Sequence, residues 1–244
     1  MTEVELKLAV MARASAQLAR RLAHLPLLAD CGAQRRQLHN TYYDTPDHQL
    51  LRSGMVLRVR CVGKGAKAIW LQTLKTGDGG ESALSRRGEW EARLDGPEPS
   101  LQALAGTPWA EVDPNGSVFA RLLPCFCTEF SRTSWMLRLA DGSQVEVALD
   151  LGQIVAGRRR TAICELELEL KAGQVGRLFD VAQQIAQALP VVPSGASKSE
   201  RGYKLAGTGK CKGAGMSTES KADSTPTPHA LALTAMRSAL HQFT

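Results

Sequence analysis

The feature that most limits the fold of this chain is a strict alternation of charged and apolar residues, repeated on several separate stretches. Over Glu165-Leu166-Glu167-Leu168-Glu169-Leu170-Lys171, every odd-numbered residue is ionic and every even-numbered one is leucine. Successive side chains of a strand point to opposite faces, so three carboxylates stand in a row, about 6.6 Å apart at a rise of roughly 3.3 Å per residue. Two unit charges at that spacing repel by about 2.5 kcal/mol at an effective dielectric near 20. A strand built this way needs cations, from side chains or from metal. The amino terminus repeats the pattern, with Glu3, Glu5 and Lys7 on one face and Val4, Leu6 and Leu8 on the other. A single strand of this kind is ordinary in an antiparallel sheet with one face in water. The information lies in how many strands share it.

Arg58 and Arg60 share a face opposite Leu57 and Val59; Arg87, Glu89, Glu91 and Arg93 share another; Glu146 and Asp150 lie opposite Val145, Val147 and Leu149. Lys75 and Arg132 extend the set on strands that alternate less cleanly. Two architectures accommodate this. In one, the apolar faces form the core and the ionic faces meet water. In the other, the barrel is inside-out, with ionic faces lining a tunnel and apolar faces covered by helices. A water-facing side is usually diluted with Ser, Thr, Asn and Gln, whereas Arg and Glu dominate here. A tunnel of both signs needs a ligand that carries negative charge together with a divalent metal.

The remaining elements follow from periodicity and turn chemistry. Residues 2–9 read as a strand, and 12–24 as an amphipathic helix with Leu18, Leu22 and Leu25 on one side. Strands over 34–43, 55–62, 66–75 and 85–94 follow, with a helical turn over 49–51 that ends near Gly54 and a connector over 76–81. Gly63-Lys64-Gly65 has strands on both sides, so it is a hairpin turn and not a phosphate loop, which joins a strand to a helix. Residues 96–115 are Pro-rich, with short helices near 101–105 and 118–122. Strands over 124–139 and 143–152 form a hairpin about Asp141-Gly142, and 154–157 pairs with 161–171. A helix over 174–189 and another over 198–205 close the ordered pattern. The fold class is α+β, mainly β: about eight strands, mostly antiparallel, closed into a barrel or strongly curved, with helices outside.

Composition narrows the setting. No apolar run approaches the length that spans a membrane, and Glu3 and Glu5 interrupt any secretory leader. The six cysteines show neither C-x-x-C pairs nor zinc spacing. A reducing cytoplasm is the expected home. The net charge of +6 favours an anionic partner. With 5% aromatic residues and no basic run interleaved with them, a compact polyanion fits better than nucleic acid.

In order along the chain stand Glu3-x-Glu5-x-Lys7, the turn Tyr42-Tyr43-Asp44-Thr45-Pro46 followed by Leu50, Leu51 and Gly54, and Arg58-x-Arg60. Leu74-Lys75, Arg87-Gly88-Glu89-Trp90-Glu91, Arg132 with Trp135, and Asp150 come next. Glu165-Leu166-Glu167 and Lys198-Ser199-Glu200-Arg201-Gly202-Tyr203 complete the series. This ordered set, over residues 2 to about 206, resembles the CYTH-domain family of the triphosphate tunnel metalloenzyme superfamily. The resemblance implies a closed eight-stranded antiparallel barrel, a triphosphate tunnel, that hydrolyses the terminal phosphoanhydride with Mg²⁺ or Mn²⁺. It implies phosphate-binding roles for Lys7, Arg58, Arg60, Lys75, Arg132, Lys198 and Arg201, since guanidinium forks and ammonium groups suit phosphoryl oxygens. Acids repel phosphate, so Glu3, Glu5, Glu165 and Glu167 are the expected metal ligands, with Glu89, Glu91, Asp150 and Glu169 behind them. Glu5, Glu91, Asp150 and Lys75 are the expected catalytic groups, Glu91 or Asp150 orienting the attacking water.

The resemblance implies an inorganic triphosphatase acting on tripolyphosphate. Thiamine triphosphatases and class IV adenylate cyclases belong to the same superfamily and bind the same triphosphate, and a non-catalytic module for longer polyphosphate is a further alternative. Arg87 and Arg93 fit either tunnel lining or cross-strand pairing with glutamates. Arg158-Arg159-Arg160 reads as a solvated turn, Tyr42 and Tyr43 as packing residues. His24, His39 and His48 lack metal spacing. Residues 207–228, rich in Gly, Ser, Thr, Lys and Pro, read as a flexible linker. Residues 229–244, with Leu231, Leu233, Met236, Leu240 and Phe243 at helical spacings, resemble the start of a helical CHAD-like domain, as though cut short there.

Overall fold

The computed structural model describes residues 2–11, 16–77 and 82–207. All but the first residue of the expected linker, the whole of the 229–244 segment and the start of the first helix lie outside the described residues. Among the described residues nine strands form: β1 (Thr2–Val10), β2 (Gln34–Asp44), β3 (Met55–Val62), β4 (Ile69–Thr76), β5 (Leu84–Leu94), β6 (Leu123–Arg138), β7 (Gln144–Ala156), β8 (Arg159–Ala172) and β9 (Val191–Pro193). The helices are α1 (Ala16–Ala23), α2 (Gln49–Arg52), α3 (Trp109–Val112), α4 (Gly176–Ala188) and α5 (Lys198–Ala206). Every pairing is antiparallel, in the order β5-β4-β3-β2-β6-β7-β8-β1, and β1 pairs β5 from Thr2 opposite Gly88 to Leu6 opposite Leu84. That last pairing closes an eight-stranded barrel and removes the sheet edges. β9 pairs with Leu8–Val10 of β1, beyond the stretch that pairs with β5.

The apolar faces point outward and are covered. Leu6, Leu8, Val147, Leu149, Leu166 and Leu168 pack beneath Leu18 and Leu22 of α1 and Leu178, Val181, Ala182 and Ile185 of α4. On the opposite wall, Leu57, Val59 and Leu74 pack against Leu104, Trp109 and Val118 of the segment between β5 and β6. That cover is tied by buried Asp113, whose carboxylate accepts from the Val118 and Phe119 amides at 2.9 Å each and from Trp109 Nε1 at 3.2 Å. Among the described residues, no helix is long and apolar enough to cross a membrane.

Several expected boundaries move. The break expected at 152–154 does not occur; β7 runs unbroken through it. Gly152 marks a close approach of strands instead: a Cβ there would lie 2.1 Å from the Glu129 carbonyl oxygen. β4 starts three residues late because Gly65–Lys67 closes a 3₁₀ turn, with the Ala68 amide donating to the Gly65 carbonyl at 3.0 Å. The short helices expected near 101–105 and 118–122 are 3₁₀ turns at Gln102–Leu104 and Phe119–Arg121. β9 and α3 carried too few residues for periodicity to show.

Candidate active site

The ionic faces line the barrel interior. Several ion pairs of low exposure bridge past an intervening strand, a reach that the inward curvature of the concave side shortens. Lys75 of β4 reaches Glu3 of β1 at 2.6 Å, past β5. Arg58 of β3 reaches Glu89 of β5 at 3.4 Å, past β4. Arg132 of β6 pairs with Glu167 of β8, past β7. The inside-out architecture is the one realised.

Two ionic groups sit in this interior. In the first, β6, β7 and β8 place Arg132 opposite Asp150 and Asp150 opposite Glu165. Arg132 donates to both carboxylate oxygens of the fully buried Asp150, from Nε at 2.8 Å and Nη2 at 2.7 Å. Lys198 Nζ lies 2.6 Å from Asp150, 2.5 Å from Glu165 and 2.8 Å from Glu167. Arg201 Nη1 donates to Glu165 at 3.0 Å. The Phe130 ring lies under both cations, 5.1 Å from Lys198 Nζ and 5.8 Å from the Arg132 guanidinium carbon. Burial opposes charge on Glu167, yet Lys198, Arg132 and Lys7 outweigh it and hold the carboxyl well below its ordinary range. Burial likewise disfavours the Lys198 ammonium, and Asp150, Glu167 and Glu165 together hold it well above its ordinary range.

The second group joins β1, β3, β4 and β5. Lys75 contacts Glu3 and, at 3.3 Å, Glu89. Burial disfavours the Glu89 carboxylate, and Lys75 and Arg58 lower its pKa nonetheless. Glu5 pairs with Lys7 at 2.8 Å and accepts from Ser85 Oγ at 3.3 Å. Glu91 is exposed and accepts from Thr73 Oγ1 at 3.3 Å. Glu169 pairs with Lys171 at 2.6 Å, and burial raises its pKa.

Arg60 differs from the others. Its Nε donates to a neutral acceptor, Asn40 Oδ1, at 2.7 Å, and Asn40 is itself fixed by donating to Thr128 at 2.8 Å. Burial and then the neighbouring charges of Arg58 and Arg132 push its pKa down to about 10. Positive charge crowded this way calls for an anion. Arg132 is common to both chemistries, since it binds the acids and its charge is felt at Arg60. The cationic cluster and the acidic cluster therefore adjoin.

α5 carries two of these cations, and the chain holds it in place locally. Ser197 and Glu200 form a capping box at its start, with the Glu200 amide donating to Ser197 Oγ at 3.1 Å and the Ser197 amide to Glu200 Oε2 at 2.7 Å. Tyr203 donates to buried Asp44 at 2.9 Å. Asp44 also accepts from the Thr45, Leu50 and Leu51 amides, at 2.8, 2.9 and 3.1 Å, so one carboxylate ties α2 to α5. Gly202 permits the approach to Phe126, whose ring would lie 2.0 Å from a Cβ there.

All of the residues expected in the site line this interior or its rim. Glu165 and Glu167 converge with Asp150, while Glu3 and Glu5 form pairs with Lys75 and Lys7. Ligand oxygens of Asp150, Glu165 and Glu167 lie within 4.8 Å of one another. The donors are all hard carboxylate oxygens, and they already converge on one cation, the Lys198 ammonium, so they fit a hard divalent cation. Asn40, Thr128, Phe130 and Ser85 were not legible as site residues, because neutral side chains in strands carry no distinctive pattern. Arg87 is interior and 9% exposed, stands opposite Glu3 across the β1–β5 pairing, and its Nε has no hydrogen-bond partner. The Arg158–Arg160 turn is exposed as expected, although Arg159 also donates to the Leu205 carbonyl of α5 at 2.9 Å. Tyr42 packs as expected, stacked on Phe126 at 4.5 Å.

Comparison with known proteins agrees with this geometry. Residues 1–203 match the CYTH domain family. The inorganic triphosphatase of Haemophilus influenzae is 38% identical over 204 residues, which are 83% of this chain and 54% of that protein. The chain thus spans about half the length of this curated relative. A Hippeastrum protein with a dominant triphosphatase activity shares the fold, with a TM-score of 0.53 and 19% identity, over 83% of this chain and 95% of that one.

Proposed function

The chain belongs to the CYTH-domain family, and on that premise we propose that it is a metal-dependent inorganic triphosphatase that converts tripolyphosphate and water to pyrophosphate and phosphate. The observation that carries this reading is the junction at Arg132, where an under-neutralised cationic cluster meets three converging carboxylates inside one barrel. A linear triphosphate carries about four to five negative charges near neutral pH, and few small ligands demand both features together.

In this proposal Arg58, Arg60, Lys75, Lys7 and Arg132 bind phosphoryl oxygens, with Lys198 and Arg201 closing on them from α5. Asp150, Glu165 and Glu167 would hold Mg²⁺ or Mn²⁺, with Glu3 and Glu5 as the further acids facing the same interior. The bound ion would offset charge on the phosphoryl oxygens as the terminal bond breaks. Glu91, held by Thr73, orients the attacking water, and Lys75 and Arg58 stabilise charge on the leaving pyrophosphate. Catalysis of this type is mostly positioning and charge stabilisation. Longer polyphosphate is a further substrate within the same chemistry. A reducing compartment such as the cytoplasm suits the thiols of Cys31, Cys61, Cys125, Cys127 and Cys164, which are unbonded.

The test is phosphate release from tripolyphosphate, ATP, thiamine triphosphate and long polyphosphate, each with Mg²⁺ and with Mn²⁺. The expected result is fastest turnover of tripolyphosphate and none in EDTA. Metal-independent release, or preference for an organic triphosphate, overturns the reading.

A further inference from the structure

Lys198 occupies the centre of the acidic cluster. Its ammonium touches one oxygen each of Asp150, Glu165 and Glu167, at 2.6, 2.5 and 2.8 Å. Those are the acids whose ligand atoms lie within 4.8 Å of one another. The nitrogen therefore stands where a divalent ion would draw three hard oxygens together. The local charge is already balanced: three carboxylates face Lys198, Arg132 and Arg201, and Lys7, opposite Glu167, is paired with Glu5. A divalent ion added beside Lys198 would leave the cluster strongly positive and would set two cations within a few ångströms of each other, poorly shielded by water. Departure of Lys198 removes both problems.

We propose that Lys198 is an internal competitor for the divalent cation, so that metal gains the Asp150–Glu165–Glu167 cluster only as the ammonium leaves it, and that a triphosphate draws the ammonium away. The second half rests on the triphosphatase reading; the first half does not. The geometry gives the side chain the freedom to do this. Lys198 is the first residue of α5, on a flexible four-carbon stem, and the helix is anchored independently by the Ser197–Glu200 capping box and the Tyr203–Asp44 hydrogen bond. Exchange therefore needs a side-chain rotation and leaves the helix in place. The adjoining cationic cluster around Arg60, whose Nε donates to the neutral Asn40 Oδ1 at 2.7 Å, offers the anion a place within the same interior. Metal and triphosphate then bind with positive coupling, since each removes an obstacle to the other.

The test is Mn²⁺ binding to the full chain, read from the electron paramagnetic resonance signal of free Mn²⁺, with no phosphate present. Parent, Lys198→Met and Lys198→Gln are compared after circular dichroism has shown each to be folded. Both variants should bind Mn²⁺ at least about tenfold more tightly than the parent. Adding Asp150→Asn to either variant should abolish the gain. A methylene-bridged, non-hydrolysable triphosphate analogue should raise the Mn²⁺ affinity of the parent more than that of either variant. Equal Mn²⁺ affinities of parent and variants overturn the proposal, as does an equal effect of the analogue on all three. Should neither variant fold, the parent alone decides: tight Mn²⁺ binding without the analogue overturns the proposal, and binding that requires it supports it. Failure of the triphosphatase reading shows differently, as no phosphate release by the parent while the Mn²⁺ difference persists.

Discussion

Replacing Glu167 by glutamine removes one charge from the acidic cluster and changes nothing else in size. From the strand pattern alone, three carboxylates in a row repel, and neutralising one should raise metal-free stability or leave it unchanged. The structure reverses that sign. Glu167 is 15% exposed at its side chain, lies 2.8 Å from Lys198, and also pairs with Arg132. Neutralising it leaves the buried cluster one positive charge in excess, although Lys198 keeps Asp150 and Glu165 and Arg132 keeps Asp150; an uncompensated buried charge costs about 3–5 kcal/mol. For a domain of this size each kcal/mol lowers the melting temperature by about 2–4 °C, so the expected drop is about 6–20 °C. The assay is thermal unfolding in EDTA, parent against Glu167→Gln, with Glu129→Gln as control. Glu129 is half-exposed on the outer face, and its change should stay within about 0.5 kcal/mol. The pH dependence supplies a second check. Because the folded pKa of Glu167 lies well below 4.5, its contribution is present above the unfolded pKa and is lost as pH falls through the folded one. The difference between parent and variant should therefore hold from pH 7 into the ordinary carboxylate range and shrink only below it. With metal and tripolyphosphate, the variant should also lose nearly all hydrolysis. A metal-free melting temperature equal to or above the parent's would refute the interleaved-charge account, and full activity would refute the site.

Three further outcomes are expected. Arg58→Ala and Arg60→Ala should each raise KM for tripolyphosphate and lower kcat by tenfold or more, about 1.4 kcal/mol each, whereas Arg158→Ala at the exposed turn should do neither; steady-state kinetics decide. Gly202→Ala should press a methyl group into the Phe126 ring, destabilise by about 1–3 kcal/mol and impair hydrolysis through displacement of α5; denaturant unfolding beside the activity assay would show an unaffected protein if the packing is looser than described. Tyr203→Phe removes one donor to buried Asp44, which keeps three backbone donors, and should cost about 1–3 kcal/mol by chemical denaturation.

The sequence by itself determined the strands, their two faces and the identity of the charges. Period-two alternation is a local property of an extended chain, so Glu3, Glu5 and Lys7, or Glu165 and Glu167, share a face wherever their strand ends up. It left open whether those faces meet water or one another, because both arrangements satisfy the same alternation. Tertiary structure decided that through the β1–β5 pairing, which closes the ring, and through α1 and α4, which cover the apolar side. It also decided which charge meets which. Arg132, Asp150, Glu165 and Lys198 come from four elements across sixty-seven positions of sequence, and no local rule sets their register. The separation of Glu3 and Glu5 from the Asp150 cluster follows from that register as well: β1 places Lys7, not a glutamate, opposite Glu167. Asp44 shows the limit most plainly. Its turn was legible, but its partner is Tyr203, 159 residues away, and only the folded chain brings that hydroxyl to a carboxylate whose burial demands it.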